Sequence, residues 1–327
     1  MYILKLKPAC KDYIWGGDKL IRHFHKSSQS SILAETWELS NHKDGSSIID
    51  NGIYKGMTFR DYLEMSGKTI LGKHCQNDTF FPIMIKFIDA KEPLSIQVHP
   101  DNSYALQHEG ELGKNEFWYV LDAEPNAFLY YGVSQEISKE DFQKYIENGT
   151  ICNYLKKVPV KKGDCFFINT GTIHAIGAGI VVAEIQQCSN STYRIFDFQR
   201  KDINGQYREL HIQKAMDVAC LTPSKDLSST LIEQKTQDYM ETLLIDNAFF
   251  SSSKYTIYKK YTTSASLDTF QVLTVLDGQA ILYWEEESLS IQKGDCLFIP
   301  ADEKTYTITG KIEFLKTWIS KKHLENI

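Results

Sequence analysis

Two stretches of this 327-residue chain repeat each other in the same order, and no other feature constrains the fold so strongly. Residues 120–122 and 275–277 both read VLD, while residues 161–168 read KKGDCFFI and residues 292–299 read QKGDCLFI. A strand ending in VLD, then a Gly-Asp turn, then an apolar strand is one supersecondary unit used twice. The spacing differs: 41 positions separate Asp122 from Gly163, but 17 separate Asp277 from Gly294. The surplus of 24 matches the segment that carries SKEDFQKYIENG. The first copy therefore reads as the same β-unit with a helical insertion at about 134–157.

The remaining patterning agrees with a mainly β chain. Short runs rich in Val, Ile, Phe, Tyr and Thr, such as PLSIQVHP, EFWYVLD, IVVAEIQQ and QVLTVLDG, are separated by Gly, Asp, Asn and Pro. Strands at this spacing predict a sandwich or barrel. Helical periodicity is sparse. In TFRDYLEM, Thr58 is the expected N-cap and Phe59, Tyr62 and Leu63 form the apolar face. In the insertion, Ser138 is the expected cap, Phe142, Tyr145 and Ile146 the apolar face, and Gly149 the stop. HIQKAMDVACL predicts a short helix or turn. The polar stretch LTPSKDLSSTLIEQKTQDYM reads as a connection, which puts a boundary near residue 230 between a unit spanning 1–230 and a second spanning 231–327.

Composition narrows the function classes. The formal net charge is -6 and no Lys/Arg stripe stands out, so the electrostatic footprint of a nucleic-acid binder is missing. No run of about 18 apolar residues occurs, and the charge-broken alternation of MYILKLKPACKDYIWGG does not read as a signal peptide. Cys10, Cys75, Cys152, Cys165, Cys188, Cys220 and Cys296 are odd in number, scattered, and form no C-x-x-C pair. That usage predicts free thiols in a reducing cytoplasm rather than a disulfide framework. Oligomeric state is not legible.

The chemistry concentrates in three segments of the first unit. Gln97 and His99 lie two apart in a strand pattern, as do Lys114 and Glu116, so each pair leaves one face. His174 ends the turn after DCFFIN. Any one of these residues alone is uninformative. Together with the pattern G-x5-N-x-G-x2-H at Gly163, Asn169, Gly171 and His174, they resemble a cupin motif, with Asn169 where Pro is common. Imidazole nitrogens, a carboxylate and an amide oxygen suit Zn²⁺ or another first-row divalent ion and leave a position open for water or substrate. The second copy is a control. Gln271 aligns with Glu116, Thr305 aligns with His174, and no histidine lies between His211 and His323, so the C-terminal unit is expected to be metal-free.

YIWGG (13–17), AETWELS (34–40), PIMIKFIDAKEPLSIQVHPD (82–101), HEGELGKNEFWYVLDA (108–123) and GTIHAIGAGIVVAEIQQCSNSTYRIFDF (171–198) together resemble the type I mannose-6-phosphate isomerases, in particular their short bacterial branch. The resemblance implies two cupin-like jelly-roll units and one zinc ion held by Gln97, His99, Glu116 and His174. It implies a sugar-phosphate site above the metal and a reaction interconverting mannose 6-phosphate and fructose 6-phosphate. It also places Lys86, Lys114 and Arg194 near the metal as catalytic or substrate-binding groups, and Glu184 is a further substrate-binding candidate. The planar fork of Arg194 suits a phosphate or enediolate oxygen better than a lysine point charge would. The base that moves the proton stays open among Lys86, Lys114, Glu184 and a metal-bound hydroxide, as does a hydride shift. One departure stands out: many relatives carry Asp four residues before this Arg, where this chain has Asn190. Two other readings compete, a different metal-dependent cupin enzyme and a non-catalytic sugar-phosphate-binding cupin.

Overall fold

The computed structural model describes residues 2–202, 204–223 and 231–325. The first copy of the repeat lies in a six-stranded sheet ordered Cys165–Ile168, Glu116–Ala123, Ile180–Gln187, Ile83–Ala90, Glu35–Leu39, Ala9–Lys11. A five-stranded sheet ordered Leu155–Pro159, Phe128–Val133, His174–Ile176, Ile96–Val98, Tyr193–Phe196 covers one face of it. Neighbouring strands in both sheets are antiparallel. Trp118, Val120, Ile88 and Val182 from the first sheet meet Leu129, Tyr131 and Ile176 from the second in one buried cluster. This is the mainly β sandwich that the strand spacing predicts.

The second copy lies in a ten-stranded sheet built around two 14-residue strands, Gln271–Trp284 and Thr305–Trp318. The repeat is structural down to single hydrogen bonds. Val120 N–H donates to Asp164 O and Gly163 N–H to Val120 O; Val275 N–H donates to Asp295 O and Gly294 N–H to Val275 O. The turn carboxylates act alike, Asp164 accepting from Lys161 N–H and Asp295 from Gln292 N–H, both at 2.9 Å. The register shifts at VLD in both copies, between Val181 and Val182 opposite the first and between Val275 and Asp277 in the second. VLD is thus a bulge signature: its leucine is the extra residue. Gly163 and Gly294 both sit at positive φ, 92° and 88°, where a side chain would be strained.

Helices form where the caps predict. Phe59–Ser66 starts at Thr58, whose hydroxyl accepts from Asp61 N–H at 3.1 Å, and Lys139–Glu147 starts at Ser138, which accepts from Asp141 N–H at 3.0 Å. Phe142 and Ile146 bury the insertion helix against the outer face of the five-stranded sheet, together with Ile212–Val218. A further helix spans Asn102–His108 and is capped by Asp101, whose Oδ1 accepts from Tyr104 N–H at 2.8 Å.

The N-terminus departs from the simple division of the chain. Strand Leu4–Lys7 pairs with Cys296–Ile299 of the second copy, Leu4 opposite Phe298, and so extends the C-terminal sheet. Phe59 and Phe81 meet Phe270 and Phe298 in one core, with Phe59 and Phe298 ring centroids 5.0 Å apart. Each such ring contributes on the order of 2 kcal/mol by burial. The polar connection is shorter than the sequence suggests, because Ile232–Lys235 is already a strand paired with Tyr239–Asp246. The expected boundary near residue 230 lies outside the described residues. No helix among the described residues is long and apolar enough to cross a membrane.

Candidate metal and substrate site

Strand register builds the site. Across the five-stranded sheet, His174 stands opposite Gln97, and Gln97 opposite Arg194. Residues directly opposite in adjacent strands present their side chains to the same face. The six-stranded sheet answers with two rows, Lys86–Glu184–Trp118 and Met84–Gln186–Glu116. The site occupies the space between these rows, so the eight residues singled out in the sequence surround one place although they span positions 86 to 194.

At its base, His99, Glu116 and His174 are 1%, 0% and 0% exposed. Their candidate ligand atoms all lie within 4.8 Å of one another. His99 Nε2 is 3.2 Å and His174 Nε2 3.5 Å from the Glu116 carboxylate. Both imidazoles are oriented from behind: His99 Nδ1 donates to Ser191 O at 3.0 Å, and His174 Nδ1 to Thr172 O at 2.8 Å. With Nδ1 protonated, each Nε2 lone pair faces inward, as a metal ligand requires. Burial, with Lys114 alongside, pushes the His99 pKa down to about 3, and burial lowers that of His174 as well. Both rings stay neutral. Glu116 Oε2 is buried without a hydrogen-bond partner. Two neutral imidazoles and an unsatisfied buried carboxylate oxygen fit a divalent cation. The Gln97 carboxamide lies 3.5 Å from His174 Nε2, in place for a fourth contact.

Above this base lies a cavity of about 250 Å³, reached by Gln97, Lys86, Lys114, Glu184, Asn190 and Arg194. Lys114 Nζ contacts Glu116 Oε1 and lies 3.3 Å from His99 Nε2. Lys86 Nζ sits 3.4 Å from Glu184 and 3.6 Å from Glu35. Burial alone would lower the Lys86 pKa, but Glu35, Glu184 and Glu116 outweigh it and hold the ammonium above its ordinary value. Glu184 moves the other way: burial and the Glu116 charge push it up to about 7. Its Oε2 accepts from Trp118 Nε1 at 2.8 Å, while its Oε1 has no hydrogen-bond partner. Arg194 donates from Nη1 to Glu209 O at 2.8 Å and keeps a buried, unpartnered Nε.

The strand carrying Arg194 ends at Phe196, and Phe198 beyond it adopts positive φ. Asp197 pairs with Arg200 and Arg208. Beyond the residues singled out in the sequence, the cavity wall includes Tyr13, Trp15, Glu35, Thr192 and Arg208. Tyr13, Trp15 and Glu35 lie inside segments that carried the resemblance, which is the signal that could have found them. Arg208 lies beyond those segments. Asn190 borders the cavity and donates from Nδ2 to Asp44 Oδ2 at 2.9 Å, while its backbone N–H donates to Glu111 at 3.1 Å. In the second copy, Gln271 stands opposite Ile299 just as Glu116 stands opposite Ile168. There the amide accepts from Tyr306 OH at 2.7 Å and donates to Ser264 O at 3.3 Å, so a hydrogen-bonded pair occupies the place that Glu116 takes in the first copy.

A β-sandwich whose paired rows bring two histidines and a glutamate together under a polar cavity defines a cupin protein with a candidate metal centre. Comparison with known proteins carries this further. The phosphomannose isomerase type I catalytic domain matches residues 3–124, and the mannose-6-phosphate isomerase cupin domain matches residues 239–319. The mannose-6-phosphate isomerase of Streptococcus mutans is 38% identical over 92% of this chain and 93% of its own length. ManA of Bacillus subtilis, also a mannose-6-phosphate isomerase, is 37% identical over 95% and 96%. The crystal structure of the Bacillus subtilis mannose 6-phosphate isomerase superposes with a TM-score of 0.90 at 33% identity, covering 97% of this chain and 99% of that one. This chain belongs to the type I mannose-6-phosphate isomerases and is an aldose–ketose isomerase.

Proposed function

We propose that the chain is a zinc-dependent isomerase that interconverts mannose 6-phosphate and fructose 6-phosphate in the cytoplasm, with one zinc ion per chain. The convergence of His99, Glu116 and His174 within 4.8 Å beneath a cavity bordered by Lys86, Lys114 and Arg194 carries this reading. His99, Glu116, His174 and Gln97 would hold the ion. Nitrogen and oxygen donors with no thiolate suit zinc. We assign residues 1–230 to the catalytic unit and 231–327 to a metal-free cupin-like unit. The exposed thiols of Cys10 and Cys220 suit a reducing compartment.

A divalent ion at this site would supply Lewis acidity toward the sugar carbonyl. The chain supplies the rest. Isomerisation removes the proton on C2, returns a proton to C1, and moves the hydroxyl proton from O2 to O1, so negative charge develops on both oxygens. Arg194 and Lys114 border the cavity and offset that charge. Lys86, held charged by Glu35 and Glu184, is a fixed cation rather than a base. Glu184 suits the proton transfer best, because its carboxyl borders the cavity and exchanges a proton near neutral pH.

The test is a coupled assay of purified, zinc-loaded protein converting mannose 6-phosphate to fructose 6-phosphate, beside a chelated sample and a His99→Ala variant. Turnover that disappears on chelation, returns with zinc, and is absent in the folded variant is the expected result. Full activity in metal-depleted His99→Ala protein would refute the metal assignment. Sugar-phosphate binding without turnover in the loaded protein would favour a non-catalytic binding role.

A further inference from the structure

Three carboxamides outside the cavity tie the metal-ligand segments to one another. Gln187 ends strand Ile180–Gln187 and is 4% exposed. Its Oε1 accepts from the Asn115 backbone N–H at 3.1 Å and from Asn115 Nδ2 at 2.8 Å, and its Nε2 donates to Asn102 Oδ1 at 3.0 Å. Asn102 Oδ1 also accepts from Gly113 N–H at 2.9 Å, and Asn115 Oδ1 accepts from Thr170 N–H at 3.1 Å. Gln187 N–H closes the set on Asn115 O at 3.1 Å.

The orientation of these amides is fixed by chemistry. A backbone N–H can only donate, so the atoms facing Asn115 N, Gly113 N and Thr170 N must be oxygens. Each NH₂ group then has one direction left, and the two that point inward find the Gln187 and Asn102 oxygens. Reversing any one amide sets a donor against a backbone donor. The segment 113–115 is also docked closely: a Cβ on Gly113 would lie 2.5 Å from Asn102 N, so only glycine fits there.

The three anchored points flank the three ligand segments. Asn102 follows Gln97 and His99 at the start of helix Asn102–His108. Asn115 lies between Lys114 and Glu116. Thr170 begins the turn that leads to His174. The ligand segments belong to two different sheets, and strand pairing alone does not fix the distance between the sheets.

We propose that Gln187 is a positioning residue for the metal site, acting through Asn102 and Asn115 to fix the spacing of the Gln97/His99, Lys114/Glu116 and His174 segments. This inference rests on the proposed metal assignment. Partners that orient metal ligands from behind typically cost about 10- to 100-fold in metal affinity or activity when removed. The amide triad is expected to behave the same way although it touches no ligand side chain.

The test compares zinc affinity by chelator competition, kcat, KM and thermal midpoint in the full-length chain. Gln187→Met keeps the volume and removes both hydrogen-bonding atoms. It is expected to weaken zinc binding at least tenfold and to lower kcat at saturating zinc, with KM changing less. Gln187→Glu keeps the acceptor for Asn115 and loses the donor to Asn102, so its zinc affinity should fall between Gln187→Met and the parent. Asn115→Ala, which retains the backbone bond to Gln187, covers the case in which Gln187→Met does not fold, and should also weaken zinc binding. Thr58→Ala, a cap loss remote from the site, controls for stability alone: it lowers the thermal midpoint and leaves zinc affinity unchanged. Variants that lose thermal stability but keep zinc affinity and kcat within twofold of the parent would overturn the proposal. A parent protein that binds no zinc would overturn the metal assignment instead.

Discussion

Replacing Asn190 with aspartate is expected to harm this chain. Asn190 Nδ2 donates to Asp44 Oδ2 at 2.9 Å. In Asn190→Asp an oxygen takes the place of that donor, and a hydrogen bond becomes a contact between two carboxylates. The Asp44 side chain is 46% exposed, so the dielectric of water is the proper limit. Two unit charges at that separation then repel by about 1.4 kcal/mol. The strain falls on a loop that matters, because Ser191 O accepts from His99 Nδ1. The expected result is a loss of about 1.4 kcal/mol in stability at pH 7, with turnover falling by up to about tenfold rather than rising. The sign with pH follows. Repulsion raises the folded-state pKa of the pair above its unfolded value near 3.9, so the penalty is full above the raised pKa and disappears as pH falls below about 3.9. Urea unfolding of parent and variant at pH 7 and pH 3.5 measures the difference. Adding Asp44→Asn to Asn190→Asp restores a donor opposite an acceptor and should recover both stability and turnover. An Asn190→Asp protein as stable as the parent at pH 7 and more active would refute the reasoning, and would make the aspartate a catalytic group that this chain lacks.

Two further predictions concern charge. Arg194→Ala removes the unpartnered Nε donor beside the cavity and should raise KM for mannose 6-phosphate or lower kcat by at least tenfold; unchanged steady-state kinetics would return Arg194 to a structural role. Glu111 holds the same loop, accepting from His42, Asn190 N–H and Lys43, and the His42 hydrogen bond leads in lowering its pKa to about 2. Its contribution, on the order of 2 kcal/mol, is full above the ordinary carboxyl value of 4.5 and is lost as pH falls toward about 2. Glu111→Gln should therefore be less stable than the parent at pH 7 and nearly equal to it at pH 2, measured by thermal unfolding across that range.

What the sequence determined by itself is local or repeated. The helix starts at Thr58 and Ser138 were legible because a cap acts on an N–H three residues away. The VLD and KGDC pairs identified two copies of one unit because bulge and turn chemistry is written in adjacent residues. Two-residue spacing placed Gln97 beside His99 and Lys114 beside Glu116 on common faces. Tertiary structure decided everything that depends on which strands become neighbours. Leu4–Lys7 joined the sheet of the second copy nearly 300 residues away, and no periodicity could announce that. Glu35 and Glu184 came to flank Lys86 through register, and their charges hold its ammonium above its ordinary pKa. Arg208 entered the cavity wall, and Gln187 met Asn115 and Asn102, because side-chain neighbours across sheets are set by packing. Backbone propensity and capping act over a few residues, whereas pairing register and inter-sheet packing are non-local. The candidate ligands could therefore be read from the chain, while the charges and amides that surround them appear only in the folded protein.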